Sequence, residues 1–100
     1  MSEKLVRDRI PEVMAAHGQV GRFRTAGPQE ILPLLIAKVQ EEAAEIATSN
    51  GSAEEICDLL EVLEALAAHG GYSQKEIQAL REERRRGRGG FDLRLVLIQE

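Results

Sequence analysis

Two Ser-x-x-Glu sequences, SAEE at 52–55 and SQKE at 73–76, are the strongest constraint on how this chain folds. A serine followed three residues later by glutamate is typical of a capping box, in which the two side chains satisfy free amides at the start of a helix. Glycines, which are typical of helix ends, follow both sequences, with Gly70 and Gly71 after the first and Gly87 after the second. We therefore predict helices over residues 52–69 and 73–87.

Two further helices are predicted before these. Apolar periodicity predicts a long helix over 29–48, with Pro33 tolerated in its first turn and Gly51 ending it in a left-handed conformation. Residues 6–16 contain Pro11, so they form either a short helix that starts there or an extended arm followed by a helix. A glycine-rich loop separates these two segments.

The composition and the last residues complete the predicted fold class. Hydrophobic residues make up 43% of the chain but aromatic residues only 3%, so a core would be built from Leu, Ile, Val and Ala, which favours packed helices. Residues 91–98 alternate only partly and suit either a short strand or an arm on a partner subunit. We predict one all-α domain over residues 1–100, a bundle of about four helices.

The charges are unevenly distributed. Residues 39–74 contain eight acids and no Lys or Arg, whereas all thirteen bases lie outside this window. A nucleic-acid interface would be dominated by positive charge, so we expect no nucleic-acid partner. The basic stretch at 84–88 suits the negative end of a helix dipole at least as well. The pattern fits a site that holds cations centrally and anions at its edges.

The sequence also indicates where the protein works. No apolar run approaches the roughly 20 residues of a membrane span, and the first residues have no signal-peptide core. Cys57 is the single cysteine, so no disulfide can form within the chain. We expect a cytoplasmic protein without a membrane partner.

Four acids stand on the predicted helix pair. Glu42 and Glu45 are three residues apart on one helix, and Glu55 and Asp58 are three apart on the next, each pair close to the connecting turn. Antiparallel helices joined by a short turn would bring both pairs across one seam. Two carboxylates about 5 Å apart repel by roughly 3 kcal/mol at an effective dielectric constant of about 20.

This cluster allows two interpretations. A divalent cation would relieve the repulsion, and an all-oxygen set without His or Cys favours Mg²⁺, with Mn²⁺ as a substitute. Alternatively, the acids are solvated helix surfaces and caps, since first-turn acids favour the helix dipole. Periodicity alone leaves both open.

Several sequence patterns resemble a known family. EEAAE at 41–45 followed by EICD at 55–58 is similar to the EExxE…ExxD pattern of the MazG-like, all-α nucleoside triphosphate pyrophosphohydrolases, a superfamily that includes phosphoribosyl-ATP pyrophosphohydrolase. KLVRDRIP at 4–11 resembles the KLVRDKIP opening of a small single-domain branch, and RGGF at 88–91 is also similar to that branch. The connection between 45 and 55 is shorter than in many relatives, so nucleotide specificity does not carry over.

The resemblance implies a hydrolase that cleaves a nucleoside triphosphate between the α and β phosphates, giving a monophosphate and pyrophosphate. It implies Glu42, Glu45, Glu55 and Asp58 as metal ligands. It also implies catalytic roles for Glu41 and Glu42, with Glu41 orienting a water or holding a further ion.

Four bases are candidates for contact with the nucleotide substrate: Lys38, Arg7, Arg9 and Arg88. Lys38 could instead pair with Glu42, and the arginines could be ordinary surface charges.

The helices present more apolar surface than one chain can bury, and the resemblance also implies a homodimer or homotetramer. The alternatives are a phosphoribosyl-ATP pyrophosphohydrolase and a non-catalytic helical interaction or regulatory module.

Overall fold

The computed structural model describes residues 3–99 and is all-α over that range. Its four helices are α1 (Ile10–Ala16), α2 (Ile31–Thr48), α3 (Ala53–His69) and α4 (Gln74–Arg88). The predicted all-α bundle of about four helices is confirmed. Among the described residues, no helix is both long and apolar enough to cross a membrane.

The two serine caps differ in one respect that matters for the site. Ser73 and Glu76 form the complete capping box, in which each side chain accepts a backbone N–H of the other residue. At α3, the Ser52 hydroxyl accepts the Glu55 N–H at 3.4 Å, and the other half of the box is not formed. The carboxylate of Glu55 therefore points away from its own helix cap.

A tight turn folds α3 back along α2. Asn50 and Gly51 both have left-handed backbone conformations, with φ of 55° and 80°. The Gly51 N–H donates to the carbonyl of Ile46 at 2.9 Å and so closes the end of α2. The predicted role of Gly51 is confirmed, and the short turn makes α2 and α3 an antiparallel hairpin.

The first two helices begin near their prolines. α1 has Pro11 in its first turn, as the short-helix interpretation predicted. α2 begins at Ile31, two residues later than expected, because residues 28–30 form a turn. The carboxylate of Glu30 accepts the Gly27 N–H at 2.8 Å and holds this turn in place.

The chain on its own has only a slight core. Leu35 of α2 is the one buried apolar residue within residues 3–99, at 4% exposure. The radius of gyration is 17.2 Å, whereas a compact chain of this length has about 13 Å. The fold is therefore an open arrangement of helices around the α2–α3 hairpin.

Residues 91–98 form no strand in the structure and continue past α4 with exposed side chains. No second extended segment pairs with them in the described part of the chain, so their backbone cannot form a ladder. Of the two predicted forms of this segment, the short strand is not formed among residues 3–99, and the arm on a partner subunit stays a prediction.

Candidate metal centre

The α2–α3 hairpin brings three of the four predicted ligands together. One carboxylate oxygen from each of Glu42, Glu45 and Glu55 lies within 4.8 Å of the other two. Glu42 and Glu45 are neighbours on α2, and Glu55 reaches the group from the first turn of α3. Three acids on two helices therefore converge on one point of the seam.

Two oxygens of this group are buried without a hydrogen-bond partner. Glu42 is 5% exposed, and its Oε2 accepts no hydrogen bond. The Oε2 of Glu55 is likewise buried and without a partner. Buried polar atoms in folded proteins are nearly always satisfied, so two orphaned acceptors within one cluster need an explanation. A cation bound between them would provide it.

Lys38 offsets part of the negative charge. Its Nζ lies 3.2 Å from a Glu42 oxygen and 3.0 Å from a Glu41 oxygen. Burial opposes the charged form of Lys38, but the hydrogen bonds to the two carboxylates outweigh it and raise the pKa of Lys38 above its ordinary value. The structure thus shows the ion pair with Glu42 that the spacing allowed.

Glu41 faces two lysines rather than the carboxylate group. It accepts hydrogen bonds from Lys4 at 2.9 Å and from Lys38 at 3.0 Å. These bonds, led by the one from Lys4, hold the pKa of Glu41 below its usual value. Glu41 is consequently a weakly basic carboxylate beside the cluster.

Asp58, the fourth predicted ligand, is engaged elsewhere. Its Oδ1 accepts a hydrogen bond from Arg7 at 2.8 Å, and it is not among the three acids that converge. Residues 3–9 thus reach both helices of the hairpin, α2 through Lys4 and α3 through Arg7.

The two remaining candidate arginines lie apart from these contacts. Arg9 directly precedes α1 and pairs with Glu12 in the first turn of that helix. Arg88 ends α4, is exposed, and forms no ion pair within residues 3–99. The described contacts therefore join Lys38 and Arg7 to the carboxylates and leave Arg9 and Arg88 outside them.

Sequence reasoning missed Lys4 and Arg24. Lys4 lies in the KLVRDRIP sequence, before the first helix. Its partner Glu41 is 37 residues later, so no helical periodicity connects the two residues. Arg24 bonds both Glu3, at 2.9 Å, and Glu30, at 2.7 Å, and so fastens the N-terminal segment to the start of α2. Ion pairs between a loop and the N-terminal segment have no regular sequence spacing, so they cannot be recognised from the sequence.

A cleft lies between the N-terminal segment, the loop before α2 and the first turn of α2. Its volume is about 860 Å³, and it is broadly open to solvent. Lys4, Arg7, Arg22 and Phe23 are among the residues that line it. Because Lys4 and Arg7 also bond Glu41 and Asp58, this basic cleft adjoins the acidic seam.

Comparison with known proteins gives one partial likeness. An uncharacterized protein from Mycolicibacterium smegmatis (strain ATCC 700084 / mc(2)155) is 43% identical over 47 residues, which are 47% of this chain. The chain spans about half the length of that curated relative, 48%. No protein-family profile matches the chain. No solved structure matches it.

Proposed function

We propose that this protein is a MazG-like, Mg²⁺-dependent nucleoside triphosphate pyrophosphohydrolase, which cleaves between the α and β phosphates to give a monophosphate and pyrophosphate. The observation that carries the proposal is the convergence of Glu42, Glu45 and Glu55 within 4.8 Å, with two buried oxygens lacking partners. The same three residues occupy acidic positions of the EExxE…ExxD pattern.

The donor set fits a hard divalent cation. All three side chains offer oxygen, and neither His nor Cys belongs to the group. Such ligands suit Mg²⁺ or Mn²⁺ better than Zn²⁺. Lys38 leaves the group with a net negative charge, since one lysine is set against three carboxylates.

The acidic side chains of the hairpin would have different roles in hydrolysis. Glu42, Glu45 and Glu55 would hold Mg²⁺, which would neutralise the leaving pyrophosphate and polarise the attacking water. The pKa of Glu41 is lowered, so this carboxylate is a weak base. It would therefore orient the attacking water by accepting a hydrogen bond from it rather than by removing the proton of the water. No nucleophilic side chain is needed for this route.

Basic side chains at the edge of the cluster would bind the phosphates of the substrate. Lys4, Lys38 and Arg7 each bond an acid of the hairpin at 2.8 to 3.2 Å. A polyphosphate could take over these bonds, and Arg7 leaving Asp58 would free that carboxylate to join the ligands. The adjoining cleft, with Phe23 and the polar Arg22, has room for the nucleoside.

We further propose that the protein acts as a homodimer or homotetramer in the cytoplasm, with a role in removing altered or surplus nucleotides. The slight core of the single chain supports the oligomer, because one chain leaves many large apolar side chains exposed. The single cysteine suits a reducing compartment.

The test is pyrophosphate release from a panel of NTPs, dNTPs, oxidised and methylated analogues, and phosphoribosyl-ATP, with Mg²⁺ and with EDTA. Wild type would be compared with Glu42→Gln and with Glu54→Gln, a neighbouring first-turn acid of α3 outside the cluster. We expect Mg²⁺-dependent release that Glu42→Gln lowers at least 100-fold, on the order of the loss of a positioned charge in an active site. Glu54→Gln should retain it.

A non-catalytic interaction or regulatory module is the second candidate. The observation that favours it is that Glu41 and Asp58 are already satisfied by basic side chains, as in a solvated ion-pair network. Absence of release from every substrate, by a protein whose folding and oligomer are intact, would favour this candidate. Preference for phosphoribosyl-ATP would instead identify the protein as a phosphoribosyl-ATP pyrophosphohydrolase.

A further inference from the structure

The α2–α3 hairpin has an apolar surface on the side away from the carboxylates, which we call the back face. It consists of side chains that are 41–60% exposed: Leu32, Ile36, Ile56, Leu60 and Leu63. At roughly 100° per residue, Ile36 and Glu45 fall on opposite sides of α2, and Leu60 and Asp58 on opposite sides of α3. Because the helices are antiparallel, both apolar stripes lie on one side of the hairpin.

The segment after α4 is a second apolar surface. Six of the eight side chains in residues 91–98, here named the C-terminal arm, are large, apolar and 80–96% exposed: Phe91, Leu93, Leu95, Val96, Leu97 and Ile98. Gly89, with φ of 79°, lets the chain turn away from α4. Contiguous apolar patches of this kind mark interaction surfaces.

We propose that the back face and the C-terminal arm are two halves of one interface between two copies of this chain, the arm of each copy lying on the back face of the other. This inference rests on the homo-oligomer of the proposed function and names its surface. Reciprocal exchange is the arrangement expected of a twofold dimer, in which the same two patches meet twice.

Dimensions support a second copy as the occupant. Residues 91–94 form a turn, in which the Arg94 N–H donates to the Phe91 carbonyl at 3.1 Å. The four apolar residues that follow, 95–98, span about 13 Å when extended, and the back face follows α3 for about 11 Å from Ile56 to Leu63. One arm can therefore cross the whole face. Six buried side chains at about 100 Å² each would hide roughly 600 Å² per arm, close to the ~800 Å² that each partner hides in a standard interface.

The charges beside the two surfaces are complementary. The residues just before the arm include Arg84, Arg85, Arg86 and Arg88, none of which forms an ion pair within residues 3–99. Glu61 and Glu64 stand on the exposed side of α3 next to Leu60. An arm crossing to a second copy would bring the basic stretch towards these acids.

Light scattering on a sizing column tests the interface first. The full chain should have at least twice its 11.1 kDa mass, and a chain ending at Gly90 should show at most half the mass of the full chain at the same concentration, with its helical circular dichroism retained. A monomeric full chain, or a shortened chain of unchanged oligomeric state, would overturn the inference. A monomeric full chain would also overturn the homo-oligomer of the proposed function, whereas an oligomer that survives loss of the arm would overturn this inference alone. Neither result bears on pyrophosphate release, which tests the hydrolase separately.

A cysteine pair tests the contact even if the shortened chain does not fold. In a Cys57→Ser background, tagged Leu95→Cys and untagged Leu63→Cys would be mixed and oxidised. We expect a disulfide-linked heterodimer, and at least fivefold less of it when Thr48→Cys, which lies away from the back face, replaces Leu63→Cys. Equal yields, or a disulfide within one chain of the Leu63→Cys/Leu95→Cys double variant, would contradict the exchange of arms.

Discussion

Arg7 donates to Asp58 over 2.8 Å, and this ion pair joins the segment before α1 to the acidic seam of the hairpin. The two side chains are 53% and 40% exposed. Asp58 lies three residues after Glu55, as a fourth ligand would. Its ion pair with Arg7 keeps it outside the group of Glu42, Glu45 and Glu55. We therefore expect the N-terminal segment to decide whether Asp58 joins the ligands of the proposed metal centre.

We expect Arg7→Ala to tighten Mg²⁺ binding in the absence of nucleotide by roughly three- to tenfold, the effect of about 1 kcal/mol. Removing the arginine frees Asp58 and removes a positive charge beside the cluster. The loss of folding stability should stay below about 1 kcal/mol, since both partners are partly exposed. Arg9→Ala is the matched control, because Arg9 pairs only with Glu12 among the described residues. Equal effects of both variants on calorimetric Mg²⁺ titrations would refute the role of Arg7.

Glu42→Gln should raise the free energy of unfolding in EDTA by about 1 kcal/mol, because a buried charge beside two other carboxylates becomes a neutral amide of the same shape, while Lys38 keeps its ion pair with Glu41. Wild type should gain about 2.7 kcal/mol when Mg²⁺ reaches 100 times its Kd, and the variant should gain little. Urea unfolding at one fixed protein concentration measures both values. Glu54→Gln should behave as wild type, and a variant that still responds to Mg²⁺ would count against the cluster.

Ser52→Ala should lower the free energy of unfolding by about 1 kcal/mol, since α3 loses the side chain that accepts its free N–H groups. It should also weaken Mg²⁺ binding, because the bond from Glu55 to Ser52 fixes the first turn that carries Glu55. Ser73→Ala removes the cap of α4 and should cost similar stability while leaving Mg²⁺ affinity unchanged. Equal losses of affinity in both variants would mean that the Ser52 cap does not position the ligand.

The Arg24 bridge predicts an acid-sensitive step. The hydrogen bond from Arg24, with that from the Gly27 N–H, lowers the pKa of Glu30 from 4.5 to about 2. A lowered folded-state pKa means that this carboxylate contributes stability above pH 4.5, and the contribution is lost as the pH falls from 4.5 towards 2. Glu3 shifts in the same direction, also through Arg24.

Arg24→Met should therefore flatten the decline in stability between pH 5 and pH 3, as measured by urea unfolding across that range. Arg22→Met is the control, because Arg22 forms no ion pair within residues 3–99. An unchanged slope in Arg24→Met would show that the bridge does not persist in solution.

Local signals in the sequence predicted the helices well. The capping sequences and the turn at Gly51 act within four residues, so their consequences can be read directly from the chain. The antiparallel hairpin followed from the short turn, and the convergence of Glu42, Glu45 and Glu55 followed from the hairpin.

Contacts across long stretches of chain could not be predicted. Arg7 and Asp58 are 51 residues apart, and Lys4 and Glu41 are 37 apart, so no periodicity connects them. Residues 91–98 had the composition of a strand, but a strand also needs a neighbour, which the described part of the single chain does not supply.

Mn²⁺ binding, followed by electron paramagnetic resonance, tests the metal centre most directly, because bound Mn²⁺ loses the sharp signal of the free ion. Wild type and Glu54→Gln should bind Mn²⁺ with equal affinity, Mg²⁺ should compete, and Glu42→Gln should bind at least tenfold more weakly. Wild type that leaves Mn²⁺ free at millimolar concentration, or Glu42→Gln that binds as wild type does, would contradict a metal centre at Glu42, Glu45 and Glu55.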